Sequence, residues 1–207
     1  MRRPTRITTA LLACTLLPAC AVTFGSRGTG ASTSTSATTS AAPARTDGIT
    51  VFLVRHAEKA AAPADDPALT EAGRARATAL AAALRDAHLD AAFTTQLRRT
   101  QDTARPSADA AGLALRVVGV GRDAASHAAA VADSVRALAS GSTALVVGHS
   151  NTIPAIVTAL GGPPLADLCD AEYDALYLVA VRPGRPSTVV KARYGAASDV
   201  SACAAMR

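Results

Sequence analysis

Two histidines and a group of arginines stand where a chain could use them for chemistry. Arg55-His56 closes the apolar run "ITVFLV" (49–54), Arg98-Arg99 follows Thr94-Thr95, and His149 lies in Gly148-His149-Ser150 behind the run "TALVV" (143–147). Histidine exchanges a proton near neutral pH because its reference pKa is about 6.5, so its free nitrogen is available as a nucleophile or base. Arginine offers a rigid fork of N–H donors that matches the oxygens of phosphate or carboxylate. Taken one at a time these residues are ordinary: an arginine in a loop is usually solvated, and a histidine beside a strand usually belongs to the core. Whether they act together depends on the elements that carry them.

Those elements alternate. The run at 49–54 is continuously apolar and β-branched, as expected of a strand covered on both faces. Thr70 is placed to cap a helix over 71–87, with Glu71 at its positive end. Strands are expected at 90–95, 113–118 and 143–148, and helices at 97–105, 124–140 and 151–160. Pro106 should bend or interrupt the second helix, whereas Pro154 falls in a first turn, where proline is tolerated. Gly161-Gly162-Pro163-Pro164 stops the chain, and "ALYLVAV" (175–181) with "TVVKARY" (188–194) reads as a closing hairpin. Strands alternating with helices imply an α/β fold: a three-layer α/β/α sandwich around a mostly parallel central sheet.

In such sheets ligands bind at the carboxyl ends of the strands. Arg55, His56, Arg98, Arg99 and His149 all fall there, beside helix starts whose free amides favour anions. Residue type and topology together point to an anion site, and to phosphate in particular.

The blocks "LVRHAEK", "LTEAGRARA", "FTTQLRRTQDTARP" and "VVGHSNTIPAIV" resemble the histidine phosphatase superfamily, the phosphoglycerate-mutase-like group, in the order that family shows them. The resemblance spans about residues 49–194. Ala57 stands where the family signature has glycine after Arg-His. The resemblance implies that His56 is the nucleophile, forming a phosphohistidine that water then hydrolyses. It implies that Arg55 and Arg99 grip the phosphoryl oxygens, with Arg98 in reserve one position away, and that His149 completes the pocket. In the family's phosphatases a Glu or Asp after the third strand protonates the leaving oxygen. In that segment, "VVGVGRDAASH", the carboxylate is Asp123; Glu58 is the other candidate, more readily seen as orienting Arg55 or a neighbouring donor. If neither serves, the substrate needs a good leaving group, as in a phosphoramidate or acyl phosphate. No metal and no cofactor are expected. Tyr194 either lines the pocket or packs, and His88 and His127 receive no role. A phosphomutase is a lesser alternative, since the connections are short. A tethered phosphate-binding module with little turnover is the alternative from a different class.

Composition separates the chain into parts. Residues 1–20 carry Arg2, Arg3 and Arg6 before a short apolar run, the pattern of an export signal. Leu17-Pro18-Ala19-Cys20 resembles a lipobox, so Cys20 is the candidate lipid anchor, with plain signal cleavage as the alternative; Cys14 would leave with the signal. Residues 21–47 are rich in Ser, Thr, Ala and Gly and read as a disordered tether, leaving 48–207 as the domain. The expected location is outside the cytoplasm, periplasmic or facing outward on the membrane. The formal charge of +5 resides in Arg2, Arg3, Arg6, Arg27 and Arg45; from residue 46 onward basic and acidic residues balance. With a neutral domain and few aromatics, nucleic acid is not an expected partner, and a small phosphorylated substrate is. Cys169 and Cys203 form a plausible disulfide, worth roughly 2–4 kcal/mol. No CxxC or HxxxH spacing indicates a metal site.

Overall fold

The computed structural model describes residues 47–121, 123–201 and Cys203. The expected signal, Cys20 and all of the expected tether but Asp47 lie outside the described residues. Alternate side chains of the central strands divide between two apolar layers. In β1 (Ile49–Arg55), Val51 and Leu53 enter one layer, while Phe52 and Val54 enter the other. The same split separates Ala144 and Val146 from Leu145 and Val147 in β4 (Thr143–Gly148). Strands buried on both faces must be apolar at nearly every position, which is why these runs show no polar alternation.

The described residues form six strands and four helices: β1, α1 (Glu71–Leu84), β2 (Ala91–Thr94), α2 (Arg98–Ala110), β3 (Leu115–Val117), α3 (Ala124–Arg136), β4, α4 (Thr152–Ala159), β5 (Ala175–Val181) and β6 (Thr188–Arg193). The strand order is β3-β2-β4-β1-β5-β6. The pairs β1–β4, β2–β4 and β2–β3 are parallel, and β5 runs antiparallel to both β1 and β6. Leu80, Leu84, Ala104 and Ala108 of α1 and α2 cover one face. Val131, Val135, Ile153 and Ile156 of α3 and α4 cover the other. This is the expected α/β/α sandwich with a mostly parallel sheet. None of the described helices is long and apolar enough to cross a membrane.

Two expectations need correction. Pro106 does not interrupt α2, which continues to Ala110. Proline removes one backbone donor, but Ala104, Ser107 and Ala108 on either side of it are buried, and their packing carries the helix through it. The strand expected over 113–118 shrinks to Leu115–Val117, because β3 is an edge with β2 as its one neighbour and Val117 is half exposed.

The start of α1 sets the loop after β1. Thr70 caps the helix, its hydroxyl accepting from Gly73 N at 3.1 Å, and donates to the Glu58 carbonyl at 3.2 Å. Gly73 lies against that carbonyl so closely that an added Cβ would collide with it. Backbone cannot retreat as a flexible side chain can, so Gly73→Ala is expected to destabilise the protein by about 1–3 kcal/mol, as overpacking does. A denaturation midpoint unchanged from wild type would contradict that close approach.

Candidate active site

Arg55 and His56 sit at the end of β1 because pairing with β4 continues through them: Arg55 aligns with Gly148, and His56 N donates to the Gly148 carbonyl at 2.9 Å. Ala57 N donates to Thr103 Oγ1 at 2.9 Å, and that hydroxyl in turn donates to the Arg99 carbonyl at 2.7 Å. One threonine therefore ties the histidine loop to the helix that bears Arg99. His149 follows β4 directly; its N–H donates to Thr152 Oγ1 at 2.8 Å at the start of α4.

These elements enclose a cavity of about 400 Å³ whose lining includes Arg55, His56, Lys59, Arg99, Asp123 and His149. A larger concavity of about 710 Å³ lies at the other end of β1, against Gly48 and Ile49. It has no histidine or carboxylate in its lining, so chemistry rather than size selects the site. The rings of His56 and His149 meet edge-on with centroids 5.4 Å apart. Tyr173 lies 6.2 Å from His56 and beneath the Arg55 guanidinium, 4.3 Å from ring centroid to carbon.

The tautomer of His56 follows from its partner. Nδ1 lies 2.8 Å from the Ala57 carbonyl, which can only accept, so the proton is on Nδ1 and Nε2 keeps its lone pair. The ring is neutral: burial lowers its pKa to about 4, with Arg55 and Arg99 pushing the same way against the Ala57 hydrogen bond. His149 is lowered to about 3, chiefly by burial and then by His56 and Arg99. Its Nε2 lies 3.3 Å from Thr95 Oγ1. Burial also lowers the pKa of the Arg99 guanidinium. Nε of Arg55 and Nε of Arg99 are buried with no hydrogen-bond partner among the described residues. Buried donors of this kind are costly unless a ligand accepts from them, and two of them beside a neutral imidazole form a receptor for an anion.

Other expected residues separate. Arg98 points away, exposed and paired with Asp102 at 3.3 Å, while its backbone N–H donates to Asp66 Oδ1 at 2.8 Å. Glu58 does not orient Arg55. It grips Arg76, accepting from Nε at 2.9 and 3.0 Å and from Nη2 at 2.7 Å. Asp123 is on the cavity rim but caps α3, accepting from Ser126 N at 2.7 Å and Ser126 Oγ at 2.8 Å. Those bonds hold its carboxyl below the usual range. Tyr194 is buried in the α1/α2 layer, and burial raises its pKa. His127 is buried too, Nδ1 donating to the Gly119 carbonyl at 3.0 Å. The sequence carried no signal for Tyr173, Thr95, Thr103 or the Arg76–Glu58 pair. Cys169 and Cys203 are joined as a disulfide with Cα atoms 5.7 Å apart. Among the described residues no three His, Cys, Asp or Glu side chains gather as a metal site requires.

Residues 51–119 match the family model of the histidine phosphatase superfamily (branch 1). A search of curated proteins finds no match. Among solved structures, the protein histidine phosphatase SixA complexed with tungstate is 19% identical, with a TM-score of 0.56 over 70% of this chain and 96% of its own. A mycobacterial glucosyl-3-phosphoglycerate phosphatase with inorganic phosphate is also 19% identical, with a TM-score of 0.54 over 72% and 97%. A structure described as mycobacterial hydrolase 2 covers 94% of its own length at a TM-score of 0.53. The similarity to the histidine phosphatase superfamily covers residues 51–119, about a third of the chain, and the fold shared with the solved structures extends over about 70% of it.

The two neutral histidines make stability depend on pH. In the unfolded chain each binds a proton near pH 6.5, whereas the folded values are about 4 and about 3. Below pH 6.5 the unfolded state therefore holds more protons, and stability falls with pH through that window. The melting temperature is expected to drop by several degrees from pH 7.5 to pH 5. His56→Gln with His149→Gln should flatten that dependence; a slope as steep as wild type would contradict the buried neutral state.

Proposed function

We propose that this protein is a phosphatase that hydrolyses phosphomonoesters or phosphoramidates through a phosphohistidine on His56, without a metal ion. The observation that carries this reading is the neutral His56 ring, its proton fixed on Nδ1, between two guanidinium groups with unpartnered Nε atoms. Nε2 attacks phosphorus, a P–N bond forms, and the bond to the leaving atom breaks. Arg55 and Arg99 hold the equatorial oxygens as charge develops on them, and His149 donates from the opposite wall. Water then attacks phosphorus, the P–N bond breaks, and His56 returns neutral.

The proton for the leaving group is assigned to Asp123, the one carboxylate among the described residues that line the cavity. Its hydrogen bonds to Ser126 favour the ionised form, so the site is better suited to leaving groups that need little protonation. That favours aryl phosphates and phosphoramidates over alkyl phosphates. A phosphate-binding module with little turnover is the competing reading, and a phosphomutase a lesser one. The export signal at 1–20 and a lipid anchor on Cys20 belong to the same proposal, placing the domain outside the cytoplasm. The mass of the mature N-terminus tests that part: an unacylated start elsewhere than Cys20 refutes the anchor.

Hydrolysis of an aryl phosphate should persist in EDTA, and His56→Ala should lower kcat/KM by about three orders of magnitude or more. Loss of activity on chelation refutes the metal-free reaction, and a fully active His56→Ala protein refutes the nucleophile. Phosphate binding without turnover by the wild type would favour the binding module. Asp123→Asn should slow alkyl phosphates by about 10- to 100-fold more than aryl phosphates. Equal effects on both would remove Asp123 from the acid role.

A further inference from the structure

Arg55 is shared between the cavity and a loop. Its Nη1 donates to the carbonyls of Cys169 at 2.8 Å, Asp170 at 2.9 Å and Glu172 at 3.4 Å. Its Nη2 lies 3.5 Å from the exposed Asp170 carboxylate, and Tyr173 of the same segment lies under the guanidinium plane. Three carbonyls exhaust Nη1, which has two hydrogens. The edge left for a ligand is the Nε side, and the place of residues 169–173 decides where that edge points.

The loop lies outside strand and helix; Lys191 of β6 holds its Glu172 carboxylate at 2.7 Å, and the C-terminal segment holds its backbone. Ser198 Oγ accepts from Tyr173 N at 2.9 Å and Asp174 N at 3.1 Å, while Asp174 Oδ2 accepts from Ser198 N at 3.2 Å. The segment is tied in turn to the histidine loop. Arg76 Nη1 donates to the Tyr194 carbonyl at 3.3 Å and the Ala196 carbonyl at 2.9 Å, and Arg76 is the partner of Glu58, two residues past His56. The disulfide closes this strap at Cys169, the residue whose carbonyl makes the shortest bond to Arg55.

We propose that the C-terminal strap closed by Cys169–Cys203 is a positioning device for Arg55. The disulfide registers the carbonyls of Cys169, Asp170 and Glu172 on Nη1 and so aims the opposite edge of the guanidinium at the phosphoryl group. A dithiol opens the bond by thiol–disulfide exchange: its two thiols lose two electrons and two protons and close to a disulfide, and Cys169 and Cys203 become thiols. With the clamp open, the loop carbonyls lose register, the guanidinium is free to swing toward Asp170, and phosphate binding weakens while His56 stays in place. Cys169 and Cys203 touch no reacting atom; they act through Arg55. The inference rests on the reading of Arg55 as a phosphate ligand.

The test uses the full chain and calorimetric titration with inorganic phosphate, a readout that does not require turnover. Affinity is compared for the oxidised protein, the protein reduced with dithiothreitol, and Cys169→Ser with Cys203→Ser, each also carrying Arg55→Ala. Opening the strap should weaken phosphate binding about tenfold, the order of one weakened charge-assisted hydrogen bond. In the Arg55→Ala background it should change nothing further. Circular dichroism at the assay temperature shows that each protein is folded; if the cysteine variant does not fold, reduction of the folded wild type makes the same comparison. Unchanged affinity in a folded, opened protein overturns the proposal, and so does equal weakening with and without Arg55, which would mark the strap as structural only. If the oxidised protein binds no phosphate, or Arg55→Ala binds it as tightly as wild type, the phosphate-site reading fails and the strap falls with it.

Discussion

A neutral imidazole held between two guanidinium groups is the condition on which the rest of this site depends. Protonated, His56 would be repelled by Arg55 and Arg99 and would have no lone pair to offer. Neutral, it keeps a lone pair in the field of two cations, the state the proposed nucleophile requires. Burial makes the neutral state the stable one, and the Ala57 carbonyl decides which nitrogen keeps the proton. The scaffold follows from this need. β1 and β4 run parallel to the same edge, so that the Gly148 carbonyl fixes His56 N and His149 begins one residue later. Thr103 bonds both the histidine loop and the backbone of Arg99, so imidazole and guanidinium are placed by one side chain.

Buried Arg55 and Arg76 and the partly exposed Arg99 differ in how far the protein satisfies them. Arg76 is nearly saturated: Glu58 takes Nε and one hydrogen of Nη2, and two backbone carbonyls take Nη1, so four of its five N–H donors are used. The Glu58 carboxylate neutralises its charge in place. Arg55 is half satisfied, by backbone carbonyls on Nη1 and a longer contact of Nη2 with the exposed Asp170 carboxylate, and Arg99 has a buried Nε with no partner among the described residues. Leaving cationic donors desolvated and unpaired is unfavourable in the free protein. In the proposed site that deficit would become binding energy for an anion, because the donors need not be stripped of other partners first.

Much of this was legible before any coordinates. Apolar runs buried on both faces announced a parallel sheet, and the rule that ligands gather at strand carboxyl ends brought Arg55, His56, Arg99 and His149 to one rim. The choice of Arg99 over Arg98 came from a resemblance, and burial shows its physical basis: Arg98 meets Asp102 on the open surface, while Arg99 turns inward. What was illegible is what depends on distant partners. Glu58 reads as a neighbour of Arg55, yet its partner is Arg76, brought beside it by the turn into α1. Tyr173 and the carbonyls of 169–172 reach Arg55 across the sheet from over a hundred residues away, and no local pattern encodes such a contact. Pro106 misled because helix propensity is local, and the apolar contacts that override it are not.

The proton inventory leads to one more step. In the proposed reaction the first half needs a group that gives a proton to the leaving atom, and the second needs one that takes a proton from water. Asp123, held ionised by Ser126, begins in the state the second half requires. A cap that accepts two hydrogen bonds loses part of them on protonation, so drawing Asp123 into the acid role weakens the start of α3. An ester with a strongly basic leaving oxygen would have to overcome that loss in its transition state, whereas a leaving group that departs as a stable anion, or that brings its own proton, would not. In the proposed reaction the helix cap at the rim would thus bias the site toward reactive phosphoryl donors before any residue contacts the rest of the substrate.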